Sequence, residues 1–102
     1  MFESYADHYD GAARLTILKT LEEQSDGRIN DSLLTTILQG FGFNKTRDYV
    51  RTQIAWLRDQ GHAVTTKEMG SAWVVELTEQ GEDHLARRVK IEGVNQPALK
   101  RG

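Results

Sequence analysis

The chain has 102 residues, 38% of them hydrophobic and 27% charged, with a net charge of −2, which fits one small globular domain with room for a single core. No run approaches the ~18 apolar residues of a membrane span, and the opening MFESYADHYD is acidic with no apolar segment, so no signal peptide is expected. With no cysteine, disulfides, thiolate metal sites and thiol catalysis are excluded, and a cytoplasmic protein is expected.

The first helix is predicted from about Asp7 to Glu23. Ala13, Ile17, Leu18 and Leu21 form its buried stripe, and Gly11 weakens its early turns. Ser25-Asp26-Gly27 is a turn, and Ile29 is a short extended residue that pins the loop to the core. Asn30 or Asp31 caps a second helix with Leu33, Leu34, Ile37 and Leu38 as its apolar face. It ends near Gln39-Gly40. In the following Gly40-Phe41-Gly42-Phe43 turn, both phenylalanines are expected to plug the space between helices.

The third helix, Thr46 to Gln60, is the most sharply written. Thr46 is its N-cap and Asp48 complements the positive end of the helix dipole. Val50, Ile54 and Leu57 share one face, and Gly61 is placed to take the left-handed conformation that ends a helix. Strands are predicted over Ala63–Lys67 and Ala72–Leu77, with Met69-Gly70-Ser71 as the tip. Thr78 caps a fourth helix carrying His84, Leu85, Arg87, Arg88 and Val89. Residues 1–90 are therefore read as the domain, and 91–102 as an extended C-terminal tail without period.

Charge is unevenly distributed. Residues 1–31 hold seven acids against three bases, residues 32–43 carry none, and residues 44–58 hold Lys45, Arg47, Arg51 and Arg58 against Asp48 alone. A local basic patch on an acidic body can track phosphates. The bland reading is a solvated helix face held by pairs such as Asp48–Arg51. His8, His62 and His84 lack ligand spacing, so no metal and no cofactor are expected. There is no phosphate-loop lysine and no G-x-S-x-G elbow, so no catalytic residues and no enzyme are expected.

The order α-α-α-β-β-α, mostly α with a small β-hairpin, fits a winged helix-turn-helix, with an unrelated small α+β domain as the structural alternative. Val50-x-x-x-Ile54-x-x-Leu57-x-x-x-Gly61 resembles the recognition helix of winged-helix regulators, and Leu77-Thr78-Glu79-Gln80-Gly81 is similar to the "L-T-x-x-G" after their wing. Arg47-Asp48, Val50-Arg51-Thr52, Ala55-Trp56-Leu57, Gln60-Gly61 and Gly93-Val94-Asn95-Gln96-Pro97 resemble one group, the small ArsR-like proteins of Mu-like bacteriophages and prophages. The chain departs from that group at His62, where an apolar residue is usual, and at Asn95-Gln96, where the tail is usually basic.

That group has no assigned function of its own. The winged-helix fold and the regulator label imply a protein of the host bacterial cytoplasm that binds double-stranded DNA and regulates transcription, with helix 46–60 in the major groove. A homodimer is expected because a single module offers few contacts. The DNA-binding candidates are Lys45, Thr46, Arg47, Tyr49, Arg51, Thr52 and, on the wing, Lys67. Tyr5, Tyr9 and the exposed-side Trp56 are interface candidates. The rival reading is a winged-helix adaptor with a phage protein partner, in phage assembly or DNA packaging.

Overall fold

The computed structural model describes residues 2–99, with side chains from Tyr5 onward; the last three tail residues fall outside that range. The elements follow the order α1 (Phe2–Glu23), β1 (Arg28–Asn30), α2 (Asp31–Gly40), α3 (Arg47–Asp59), β2 (Val64–Met69), β3 (Ala72–Leu77) and α4 (Glu79–Leu85). Four helices and one three-stranded antiparallel sheet, ordered β1-β3-β2, make an α+β domain. The expected hairpin is present. The extended residue Ile29 proves to be the centre of a third strand, opposite Val75, so the predicted order lacked one element.

The core is built as the periodicities require. Ile17, Leu18 and Leu21 of α1 meet Leu34 and Leu38 of α2 and Val50, Ile54 and Leu57 of α3, with Val64 and Val75 closing it from the sheet. Strand residues alternate between faces, so Val64, Thr66, Val75 and Trp73 share the face toward the helices. Lys67 and its partner Val74 lie on the opposite face.

Several boundaries differ from expectation for local reasons. α1 begins at Phe2 rather than Asp7, and Gly11 serves packing: a Cβ there would lie 2.5 Å from Asn95 Oδ1. On α2, Asn30 is the N-cap, accepting from the Leu33 amide at 2.8 Å. The buried face is Asp31, Leu34, Thr35 and Leu38, which leaves Leu33 exposed. In the turn that follows, only Phe43 packs on the core, while Phe41 is exposed.

Gly61 does not adopt a positive φ; His62 does, at 53°. Gly61 is required by proximity, since a Cβ would meet the Leu57 carbonyl at 3.2 Å and Trp56 at 3.4 Å. α4 stops at Leu85, short of Arg87, Arg88 and Val89, and Arg87 takes φ 63°. Among the described residues, 91–99 contain neither helix nor strand, yet they fold back onto the domain, where Ile91 and Val94 join the core.

Candidate nucleic-acid interface

The N-terminal half of α3 is organised by a residue outside it. Asp31, the first residue of α2, has no solvent-exposed surface. A buried carboxylate must be paired and hydrogen-bonded, and here four donors reach it. Arg47 Nε donates to Oδ2 at 2.8 Å and Nη2 to Oδ1 at 3.3 Å. Arg51 Nε donates to Oδ2 at 2.5 Å, and the Trp73 amide to Oδ1 at 2.9 Å. Burial alone would raise the Asp31 carboxyl; the hydrogen bonds from Arg47, Arg51 and Trp73 outweigh it and hold the group well below the usual carboxylate range.

The same two guanidinium groups also bind the hairpin tip. Arg47 Nη2 and Arg51 Nη2 donate to the Ser71 carbonyl at 2.8 and 2.6 Å. Arg51 stacks over the Trp73 ring at 4.6 Å, and Arg58 lies over that ring at 5.8 Å while donating to Thr66 Oγ1 at 2.9 Å. One acid, two arginines and one carbonyl thus bolt α2, α3 and the hairpin together. The alternative Asp48–Arg51 pairing does not form, because Arg51 turns to Asp31.

The remaining candidates divide between structure and surface. Thr46 is the N-cap, its hydroxyl accepting from the Tyr49 amide at 3.2 Å. Thr52 is exposed, and its hydroxyl donates to the Asp48 carbonyl at 3.0 Å. Tyr49 is not on an open face. Its hydroxyl donates to Asp10 Oδ1 at 2.5 Å, and burial, with the Asp10 carboxylate second, raises its pKa far above the ordinary phenol. Lys45 is exposed and stands 5.3 Å from the rings of both Tyr9 and Tyr49. Lys67 is exposed on the sheet face turned away from α3. Arg47 and Arg51 are therefore drawn together on Asp31 and the hairpin tip, Lys45 stands over the Tyr9 and Tyr49 rings instead, and Lys67 lies on the outer face of the sheet.

The interface candidates separate as well. Tyr5 is 72% exposed. Tyr9 packs edge-on against Phe43 and Tyr49. Trp56 is half-buried within its own chain. The Arg14 guanidinium lies 3.9 Å above its ring, and Gly93 sits so close that a Cβ would come within 2.6 Å. Asp31 and Asp10 were not among the sequence candidates. The available signal for Asp31 was Arg47-x-x-x-Arg51, two guanidiniums on one helix flank with no acid beside them in sequence able to satisfy both.

These features define a class: a small four-helix α+β domain whose three-stranded sheet is locked to its third helix by a buried acid and two arginines. No protein-family description matches the chain, and no solved structure matches it. The chain is similar to the uncharacterized protein gp26 of Escherichia phage Mu, at 38% identity over 84 residues, which cover 82% of this chain and 85% of the phage protein. It belongs to that Mu phage protein family. Among the described residues, no helix is long and apolar enough to cross a membrane.

Proposed function

We propose that this is a winged-helix protein of phage type that binds double-stranded DNA in the host cytoplasm, as a homodimer, and regulates transcription. The observation that carries the reading is the Asp31 bolt. Two consecutive helices, α2 and α3, are followed by a hairpin whose tip is fixed to the N-terminal half of α3. Helix and wing are then presented as one rigid body, as a groove reader requires. Arg47 keeps 40% of its side chain exposed while bound to Asp31, and Lys45, just before α3, adds a second accessible cation. Lys67 would flank from the outer face of the wing. The fold resemblance supports the architecture; function rests on the surface.

The test is fluorescence anisotropy of a random-sequence duplex over a salt series. Binding should weaken steeply with salt, and Lys45→Ala should make the negative slope of log K against log salt shallower by roughly 1 without affecting the fold. Absence of binding at about 50 mM salt, with an intact circular dichroism spectrum, would overturn the reading.

A specific observation favours a second reading, the protein–protein adaptor of phage assembly or DNA packaging. Asp31 already neutralises much of the basic patch, and the exposed side of α3 carries Asp48 and Asp59. The exposed side of α2 is uncharged and presents Leu33, 53% exposed, and Phe41 just past its end is 66% exposed. A phage partner retained by the wild type and lost on Leu33→Asp, with no DNA binding at low salt, would select this reading.

A further inference from the structure

His84 is the most deeply placed of the three histidines, with no exposed surface. Both of its ring nitrogens are used, and both partners lie in the segment that follows α4. The Ile91 amide donates to Nδ1 at 3.2 Å, so Nδ1 carries the lone pair. Nε2 then carries the hydrogen and donates to the Asn95 carbonyl at 2.9 Å. Only the neutral Nε2–H tautomer satisfies both bonds.

The segment is held at other points along its length. Arg14 Nη1 donates to the Gly93 carbonyl at 2.9 Å, and the Asn95 amide donates to the Gly11 carbonyl at 3.2 Å. Gly93, at φ 93°, rests on the Trp56 ring, and Arg87 donates to the Pro97 carbonyl. Ile91 and Val94 supply the apolar contacts. Residues 91–97 therefore form a strap whose position depends on a buried imidazole.

We propose that this strap is released by acid: neutral His84 closes it, and proton uptake by the ring opens it. Protonation would place an N–H at Nδ1, directly against the Ile91 N–H, and would bury a cation. The surrounding charged groups do not hydrogen-bond to the ring. On α4 and the turn after it, Asp83 is paired with Arg88 at 3.0 Å. On the strap, Lys90 lies 3.7 Å from Glu92. From α1, Asp7 and His8 line the groove beside the strap, and Arg14 is occupied by Gly93 and by Gln53, at 2.8 Å. Lys19 and Glu22 line the groove between α1, residues 85–87 and Pro97, with Glu82 of α4 and Glu76 of β3 beside Glu22. Opening the strap and exposing the ring to water removes both penalties. It also uncovers the face of Trp56 on which Gly93 rests. Ile91 and Val94 leave the core when the strap opens, while the side chains of α1, α2, α3 and the sheet keep their contacts with one another, so the opening is local.

The experiment is a heteronuclear NMR titration of the full chain from about pH 7.5 to about pH 4.5, the range in which histidines take up protons. At the neutral end, the His84 ring nitrogens should report the Nε2–H tautomer. On acidification, ring protonation, movement of the Trp56 indole resonance and loss of protection at the Ile91 and Asn95 amides should share one midpoint. After correction for intrinsic exchange, those two amides should exchange at least about tenfold faster, while the amides of β2 and β3 keep their protection. A His8→Gln/His62→Gln double variant should retain the transition, and His84→Asn should remove it. An Nδ1–H tautomer at neutral pH would overturn the proposal. So would ring protonation with the strap amides still protected, or simultaneous loss of the strap and sheet amides.

Discussion

At the scale of single residues, Asp31 matters most, and its worth can be bounded. Asp31→Asn removes the charge from a site that receives hydrogen bonds from two guanidiniums and one amide. It also turns an amide N–H₂ or a single carbonyl toward them. Such bonds to a buried charge are worth about 1.5–3 kcal/mol each when broken singly. Arg47 and Arg51 remain 40% and 27% exposed, so water relieves part of that loss. The expected net destabilisation is about 2–3 kcal/mol, measured by urea unfolding. The pH dependence has a definite sign. The folded-state pKa of Asp31 is depressed, so its contribution is fully present above the ordinary aspartate value of about 3.9 and is lost progressively as pH falls from there toward the lower folded value. Between about pH 4 and pH 2, the wild type should therefore lose part of the advantage it holds over Asp31→Asn at neutral pH, and the remainder only in stronger acid. Asp31 was hard to find in the sequence because an acid at a helix start reads as a cap or dipole partner. Its partners lie 16 and 20 residues away.

At the scale of elements, the sequence was legible wherever a single period governed burial. The Val50–Ile54–Leu57 stripe, the α1 stripe and the β2–β3 hairpin all follow from spacing alone. Legibility failed where a residue's role depends on what approaches from another element. Leu33 lies in an apolar run yet faces out, because Asp31 and Thr35 take the buried side of α2. Gly11 reads as a weak point in its helix, Gly61 as a helix stop and Gly81 as the end of a motif, but all three are points of close approach. The glycine of Leu77-Thr78-Glu79-Gln80-Gly81 makes the case quantitative. A Cβ at Gly81 would lie 2.5 Å from the Ala63 carbonyl oxygen and 2.6 Å from Leu77 Cδ1. The carbonyl is backbone and itself accepts from the Thr78 amide at 3.0 Å, so it cannot yield cheaply. Gly81→Ala should cost about 2–3 kcal/mol by overpacking. Gly40, in the last turn of α2, has nothing within 4 Å of a built Cβ and no positive φ. Gly40→Ala should instead stabilise by about 0.5–1 kcal/mol, because it restricts the unfolded chain and improves helix propensity. Thermal or urea unfolding of the two single variants checks both signs. Equal effects would mean that Gly81 is not a packing glycine.

At the scale of the whole molecule, the question is whether one copy carries enough accessible charge to hold DNA. The basic stretch 44–58 is attached to an acidic body, and the fold brings that acid close: Asp10 of α1 bonds Tyr49 on α3. With Arg51 bound to Asp31 and Ser71, and stacked on Trp73, about three cations per copy can meet phosphate: Lys45, Arg47 and Lys67. Each neutralised phosphate contributes about −0.9 to the slope of log K against log salt. One copy should therefore give a slope of about −3, and two copies on a pseudo-palindromic site about −5. The slope thus reads the stoichiometry of the complex, and sedimentation over a range of protein concentrations reads that of the free protein. If the protein binds as the homodimer proposed, the slope should be near the larger value, and either the free protein or its complex should sediment as two copies. A slope near −3 with monomers throughout would remove the dimer and leave the DNA contact standing. A slope near zero would remove the phosphate contact itself and move the functional surface to the uncharged side of α2.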